Sequence, residues 1–501
     1  MCHSFLEGCS GSGEAGTERA PASKRPDTEE TMKTLEYDLV AVGGGTAGLV
    51  SAAGASYLGL EAALVEKEAL GGDCLWTGCV PSKALIASAR RAHGMRHARE
   101  VGLQSADPAH SFQAVMERMR AARRAVARHD DPERFRSMGV GVHFGAARFL
   151  DPETVEVEGV GRIRSPRIVL ATGARVDVPP VERLEPTGYL THETAFDQHT
   201  LPSSLIILGG GPVGLEFAQV YARLGARVTV VEMLPEILPR EDPDVSGALR
   251  EMLRAEGIVF RTGQAAAKAA MADGQKTVTL KDGSRLAAEE IFVATGRKPA
   301  VEGLDLDRAG VEVRKGGVVV DDTLRTRNRK VWAAGDVTGG LQFTHVADYM
   351  ARTVVRDAIF PFPTKVDYDD VPWVTFTDPE VAHVGMGQED AEARGASTYA
   401  YEFAELDRAI ADGDTRGFVK ISADGKGRIL GATILGQGAG ELIMPLVLAK
   451  QNKLSLATVS EAVFPYPTRV EGVKRAADAY QRARLQGRGG QLLKKVVSWL
   501  T

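Results

Sequence analysis

A strand, glycine turn, helix and acid recur in this chain as a unit, and the repetition restricts the fold more than any other feature. In the first copy the apolar run Tyr37-Asp38-Leu39-Val40-Ala41-Val42 leads into Gly43-x-Gly45-x-x-Gly48. An alanine-rich stretch from Ala47 to Leu58, an apolar run from Ala62 to Val65, and Glu66 follow. In the second copy Leu205-Ile206-Ile207-Leu208 leads into Gly209-x-Gly211-x-x-Gly214, a helical pattern through Leu224, the run Val228 to Val231, and Glu232. Each acid lies eighteen residues past the third glycine of its copy. Backbone N–H groups at such a turn, together with the helix dipole, bind a pyrophosphate, and an acid at that distance accepts hydrogen bonds from a ribose hydroxyl. One such loop says little; two in the same register predict two dinucleotide-binding domains and two different dinucleotides.

Three further apolar runs close on turns of the same kind: Ile168 to Ala171 before Thr172-Gly173, Ile291 to Ala294 before Thr295-Gly296, and Lys330 to Gly335 before Asp336. Their recurrence points to nucleotide contacts at Thr172, Gly173, Gly296 and Asp336. Past Phe362 the fingerprints stop, and runs such as Phe418-Val419-Lys420-Ile421 alternate with helical stretches, as in a separate α+β domain.

Between the first fingerprint and these turns stand two cysteines, in Gly71-Gly72-Asp73-Cys74-Leu75-Trp76-Thr77-Gly78-Cys79-Val80-Pro81-Ser82-Lys83. The 501 residues hold only four cysteines, and Cys2 and Cys9 lie in a stretch without fold signal. Neither a disulfide framework nor a four-ligand zinc site is therefore expected of this pair, and no metal site is expected. The Cys-x4-Cys spacing predicts both thiols on roughly one face of a helix, near enough to bridge. Two thiols beside a dinucleotide site mean redox chemistry, and Lys83 is placed to lower a thiol pKa.

Sixty-one basic against sixty-six acidic residues, a net charge of −5, offers no field for a polyanion, so nucleic acid is not an expected partner. The basic cluster from Arg118 to Arg128 has helical spacing and reads as a solvated helix face. No apolar run approaches the roughly 18 residues a membrane span needs, and the first thirty residues carry no apolar signal core. A cytoplasmic protein without a membrane partner is the expectation. Residues 1–33, rich in Gly, Ser, Glu, Thr and Pro, are expected to be a disordered tail.

From about Tyr37 to Tyr480 the chain resembles the flavin-dependent pyridine nucleotide–disulfide oxidoreductases, which include lipoamide dehydrogenase, glutathione reductase and mercuric reductase. The dithiol motif, both fingerprints, both Ala-Thr-Gly turns and Ala333-Ala334-Gly335-Asp336 occur in that family's order. The resemblance implies an α/β fold of two Rossmann-like domains with a C-terminal α+β dimerisation domain. FAD would be bound by residues 34–179 and 302–366, NAD(P) by 180–301, and 367–486 would form a homodimer interface before a tail at 487–501. It further implies FAD held by Gly43, Gly45, Gly48, Glu66 and Asp336, and a nicotinamide cofactor held by Gly209, Gly211, Gly214 and Glu232. Cys79 would face the flavin and Cys74 would exchange with acceptor. Lys83 near the flavin would pair with Glu216. A carboxylate at Glu232 repels a 2′-phosphate, so NADH is expected over NADPH, with Arg227 and Arg240 near enough in sequence to weaken the preference.

One departure separates this chain from the family's disulfide reductases. Where those carry His-Pro-Thr-x-x-Glu, it has Tyr466-Pro467-Thr468-Arg469-Val470-Glu471. A phenol with an ordinary pKa near ~10 is a poor proton shuttle for a dithiol at neutral pH, and Glu471 has no imidazole to orient. The tyrosine resembles mercuric reductase, yet no cysteine follows Cys79 and no N-terminal metal-binding Cys-x-x-Cys module is present. The expected enzyme is a mercuric-reductase-like NAD(P)H oxidoreductase whose small-molecule or metal-ion acceptor the sequence leaves open: Hg(II), a small disulfide, a quinone or another electrophile. A lipoamide dehydrogenase and a non-turnover redox sensor are the competing readings.

Overall fold

The computed structural model describes residues 34–108 and 111–500. The tail expected at residues 1–33, with Cys2 and Cys9, lies outside them. The first half is organised by a parallel five-stranded sheet in the order Val331–Ala333, Ile168–Leu170, Leu39–Val42, Ala62–Glu66, Val140–Phe144. Its strands are short apolar runs because both faces are covered; Leu39, Val40 and Ala41 are fully buried. After Leu39–Val42 the chain crosses to one neighbour through the helix Thr46–Tyr57, and the later strand Ile168–Leu170 adds on the other side. That reversal opens a crevice at the carboxyl ends of these strands, where doubly wound sheets bind ligands.

The second half repeats the arrangement. Ser204–Leu208 is flanked by Arg227–Glu232 and Glu290–Val293, with Val259–Thr262 outermost, all parallel. The helix Pro212–Leu224 follows the central strand. Two segments crossing between the halves, Ala174–Val176 and Arg297–Pro299, pair antiparallel. The Thr172 hydroxyl donates to the Ala300 carbonyl at 2.7 Å and that of Thr295 to the Asp177 carbonyl at 2.8 Å, so each Ala-Thr-Gly turn is tied to the opposite crossing segment.

The remainder forms a five-stranded antiparallel sheet, Pro372–Thr375, Glu380–Gly385, Ile429–Gly436, Phe418–Ala423, Ser397–Glu402, covered by helices that include Met444–Gln451 and Glu471–Gln486. Ion pairs hold it to the nucleotide-binding half. Arg223, almost fully buried, bonds Glu256 and Asp378 at 2.7 Å each, and Lys420 bonds Asp242 and Asp244 at 2.7 Å each. Removing one partner of such a buried set leaves an uncompensated charge, at a cost of about 3–5 kcal/mol. The stretch set apart as a tail carries a helix, Arg488–Leu500.

Two sequence expectations need correction. Cys74 and Cys79 do not share a helix: Cys74 lies in Gly72–Trp76, and Cys79 opens the separate helix Cys79–Arg96. The chain breaks at Thr77-Gly78, where the Gly78 backbone folds so close to the Asp73 carbonyl that a Cβ would lie 2.8 Å from its oxygen. The Arg118–Arg128 face is only partly solvated. Arg118 donates to the Ala84 carbonyl at 2.8 Å and Arg123 to that of Trp76 at 3.1 Å, bracing the dithiol segment from the helix Phe112–Ala127.

Candidate active site

The two glycine loops superpose in their local chemistry. A Cβ at Gly43 or at Gly209 would lie 2.3 Å from a carbonyl oxygen, that of Ala171 or Ala294. Gly48 and Gly214 let each helix lie against the first glycine's own carbonyl. The middle glycines differ: Gly45 and Gly211 precede their helices without a side-chain cap, and a Cβ would meet only the Gly72 backbone at 3.9 Å at Gly45 and nothing at Gly211. Unpaired helix N–H groups around an open notch fit a pyrophosphate at both places. Glu66 accepts from the N–H of Gly44 at 2.5 Å and Glu68 at 2.8 Å. Glu232 accepts from Gly210 at 2.6 Å and Leu234 at 2.8 Å. Each carboxylate is thus fixed at its strand's end with lone pairs left for ribose hydroxyls. Gly173 and Gly296, both at positive φ, have no side chain or backbone within 4 Å of where a Cβ would stand, so a ligand can approach them closely.

Arg227 opens the strand that Glu232 closes, which places it about 16 Å from the ribose acid at ~3.3 Å per residue. It is too far to answer a 2′-phosphate. Arg240 is exposed beyond Leu238, whose N–H returns to the Gly210 carbonyl at 3.0 Å.

Cys74 and Cys79 are free thiols joined by a hydrogen bond. Cys79 Sγ also lies 3.3 Å from the Thr344 hydroxyl, across 265 residues of sequence. The hydrogen bond from Cys74 lowers the Cys79 pKa against the opposing effect of burial, and Thr344 and the Lys83 ammonium lower it further. The same bond, with burial, raises Cys74. Cys79 also occupies the first turn of an uncapped helix, where the dipole favours a thiolate. These effects favour the thiolate on Cys79 and the protonated thiol on Cys74.

Lys83 lies one turn along that helix. Its ammonium bonds Glu216 Oε2 at 2.9 Å and sits 4.4 Å from the centre of the Phe376 ring. The other Glu216 oxygen accepts the Phe376 N–H at 3.0 Å. Helices from both nucleotide-binding halves and a strand end of the C-terminal sheet thus fix one cation beside the dithiol. Burial raises the Asp336 pKa, opposed by Arg297 at 3.4 Å.

Tyr466 and Glu471 stand outside this network. The Tyr466 hydroxyl, well exposed, donates to Asp407 at 3.1 Å, and that hydrogen bond to a carboxylate raises the phenol pKa. Glu471, buried at a helix start, lies 3.5 Å from the Thr468 nitrogen and 3.8 Å from Arg475.

The chain matches the pyridine nucleotide-disulphide oxidoreductase family over residues 37–351 and that family's dimerisation domain over residues 371–477. It belongs to this family. It is 35% identical over 457 residues to a mercuric reductase of Streptomyces lividans, covering 89% of this chain and 96% of that one. To a dihydrolipoyl dehydrogenase of Bacillus subtilis (strain 168) it is 33% identical over 462 residues, covering 88% and 97%. The Cu(II) complex of the HOCl-induced flavoprotein disulfide reductase RclA from Escherichia coli superposes with a TM-score of 0.81 at 29% identity, covering 88% of this chain and 99% of that one.

As a pyridine nucleotide–disulfide oxidoreductase, the protein is a flavoenzyme that uses FAD and NAD(P)H. Among the described residues no helix is long and apolar enough to cross a membrane, and no group of three His, Cys, Asp or Glu side chains is placed to hold a metal ion. Sequence reasoning gave no role to Asp73, His192, Arg297, Thr344 or Asp407. Asp73 and Arg297 stand inside motif runs, where adjacency was a usable signal; Thr344 and Asp407 reach their partners only through the fold.

Proposed function

We propose that the enzyme oxidises NADH and delivers the electron pair through the Cys74–Cys79 couple to thiophilic metal ions, one Hg(II) reduced to Hg(0) or two Cu(II) reduced to Cu(I), working as a homodimer. In this reading Gly209, Gly211, Gly214 and Glu232 bind the nicotinamide dinucleotide, while Gly43, Gly45, Gly48, Glu66, Thr172, Gly173 and Asp336 bind FAD. Bound FAD supplies hydride acceptance from the nicotinamide and electron-pair transfer to the disulfide. Lys83, anchored by Glu216, holds positive charge beside Cys79 and keeps that sulfur a thiolate. Cys74 retains the proton and serves as the exchanging thiol.

The observation that supports a metal acceptor is the Tyr466–Asp407 hydrogen bond. A disulfide acceptor releases thiolates that must be protonated, which calls for a group titrating near neutrality. The phenol, with its pKa raised by Asp407, is a worse donor than a free tyrosine. A metal ion makes no such demand, because thiolates bind it after losing protons, and soft sulfur suits Hg(II) and Cu(I). For Hg(II) the balance is NADH + Hg(II) giving NAD+, Hg(0) and H+. The mercuric reductases among the relatives and the Cu(II) complex of RclA favour the same class.

The test is anaerobic NADH oxidation by purified protein with Hg(II) in excess thiol, Cu(II), lipoamide, glutathione disulfide or a quinone. Metal-dependent turnover lost in Cys74→Ser is expected. Turnover with lipoamide or glutathione disulfide exceeding that with either metal would overturn the assignment.

A further inference from the structure

Asp73, immediately before Cys74, reaches partners well beyond its own helix. Its Oδ1 accepts from the Thr77 hydroxyl at 2.5 Å and lies 3.2 Å from His192 Nε2. Its Oδ2 lies 2.8 Å from Arg297 Nη2. The same Nη2 is 3.4 Å from Asp336 Oδ2. His192 is buried, and the buried Arg297 Nε has no hydrogen-bond partner. Because an ionised carboxylate only accepts, His192 Nε2 must carry the proton in this contact. Arg297 comes from the segment that crosses between the two nucleotide-binding halves and directly follows Gly296. One guanidinium therefore touches the acid beside the dithiol and the acid expected on the flavin side.

We propose that Arg297 is a positioning residue that sets, through Asp73, how readily the dithiol exists as thiolate. Asp73 places a negative charge next to Cys74, which disfavours a second negative charge on either sulfur. Arg297 and His192 offset that charge, as their depression of the Asp73 pKa against the strong opposing effect of burial shows. The other charged group acting on the sulfurs is Lys83, backed by Glu216, and Thr344 adds a hydroxyl; Asp336 faces Arg297 and Asp73 instead. Without Arg297, Asp73 and Asp336 both lose their shared cation, and the thiolate becomes harder to form. Without the Asp73 charge it becomes easier. A merely structural strut would not give opposite signs.

This inference rests on Cys74–Cys79 being the redox couple, and the experiment separates the two. The full-length FAD-loaded protein is reduced with NADH, and its thiols are alkylated with iodoacetamide across pH 5 to 10. The appearance of two alkylatable thiols on NADH addition tests the couple itself. The pH midpoint of alkylation, with the midpoint of the long-wavelength thiolate–flavin absorbance as a second readout, tests Arg297. Arg297→Met should raise the midpoint by about half a unit or more, Asp73→Asn should lower it, and the double variant should match Asp73→Asn, since Arg297 acts through that carboxylate. Arg297→Lys should restore part of the shift. Should Arg297→Met not hold FAD, Asp73→Asn and Arg297→Lys still decide the sign. Shifts of the same sign in Arg297→Met and Asp73→Asn, or an unmoved midpoint in Asp73→Asn, would overturn the proposal.

Discussion

Lys83 and Glu216 meet at 2.9 Å although 133 residues separate them, and the contact joins the helix that opens at Cys79 to the helix that closes the second glycine loop. Glu216 is buried and accepts from both Lys83 and the Phe376 backbone, so the ammonium has one fixed place. The Lys83 charge acts on Cys79, while Glu216 acts on Cys79 only through Lys83.

Lys83→Met should therefore raise the pH at which Cys79 becomes a thiolate by about one unit, the low end for an opposite charge close by. Glu216→Gln keeps an acceptor for Phe376 and leaves the ammonium loosely held, so a smaller shift of the same sign is expected. Alkylation rate against pH in the reduced enzyme measures both. An unchanged midpoint in Lys83→Met would mean that the helix terminus and Cys74 alone stabilise the thiolate.

The nicotinamide cofactor gives a second expectation. The Glu232 carboxylate is pinned by Gly210 and Leu234, so it cannot swing away to admit a phosphate, and Arg227 lies at the opposite end of its strand. kcat/KM should favour NADH over NADPH by at least about tenfold, the equivalent of ~1.4 kcal/mol. Glu232→Ala should narrow that ratio mainly by lowering the NADH value. If NADPH is preferred, an Arg240→Ala variant will show whether that exposed arginine is responsible.

The parts of the fold legible in sequence were those encoded locally. Each fingerprint carries strand, turn, helix and acid within about thirty residues, so the pattern alone predicts the crevice and its donors. The break at Thr77-Gly78 was not legible, because Cys-x4-Cys spacing suits one helix as well as two. Only the approach of Gly78 to the Asp73 carbonyl decides between them. The Asp73 contacts were hidden for another reason: His192 and Arg297 lie 119 and 224 positions downstream. Their chemistry exists only where the two halves cross. The arginines of the Phe112–Ala127 helix have ordinary amphipathic spacing, and nothing in that spacing separates a solvated arginine from one reaching the Trp76 carbonyl.

A pH dependence of stability follows from Glu241, at the seam between the second half and the C-terminal sheet. Its Oε1 accepts the Trp373 indole N–H at 2.6 Å, while Oε2 is buried without a partner, 3.7 Å from His383 Nδ1. Burial pushes its pKa up to about 7, despite the Trp373 bond and nearby Lys420. The folded state then holds a proton that the unfolded state releases above about 4.5, so this group's contribution to stability declines as pH rises from about 4.5 to 7 and stays low above that. Integrated over that window the loss is roughly 3 kcal/mol. Glu241→Gln keeps the Trp373 acceptor without the charge. It should raise Tm at pH 8 and leave it nearly unchanged at pH 4.5. An equal gain at both values would mean that packing, not ionisation, is responsible.

The sharpest expectation concerns Tyr466. Its phenol stands where the disulfide reductases carry histidine, and its hydrogen bond to Asp407 raises the phenol pKa, the wrong direction for a proton donor near neutrality. Turnover with lipoamide and glutathione disulfide should accordingly be slow in the wild type. Tyr466→His should increase it by about tenfold or more, since a positioned imidazole is worth at least that in acid–base catalysis. Glu471, buried at the start of its helix, is placed in sequence to orient the new ring. Metal-dependent turnover should fall or stay level in the same variant, because thiolate transfer to a metal needs no added acid. The proposed homodimer supplies a further measurement. If each dithiol works with residue 466 of the other subunit, wild-type chains co-expressed with Cys74→Ser/Tyr466→His double-variant chains should recover about a quarter of the lipoamide turnover of Tyr466→His, from one improved site in half of the dimers. Recovery absent from verified heterodimers would place Tyr466 outside the site. Fast lipoamide turnover by the unmodified enzyme would instead show that another group delivers the proton and would favour a dehydrogenase.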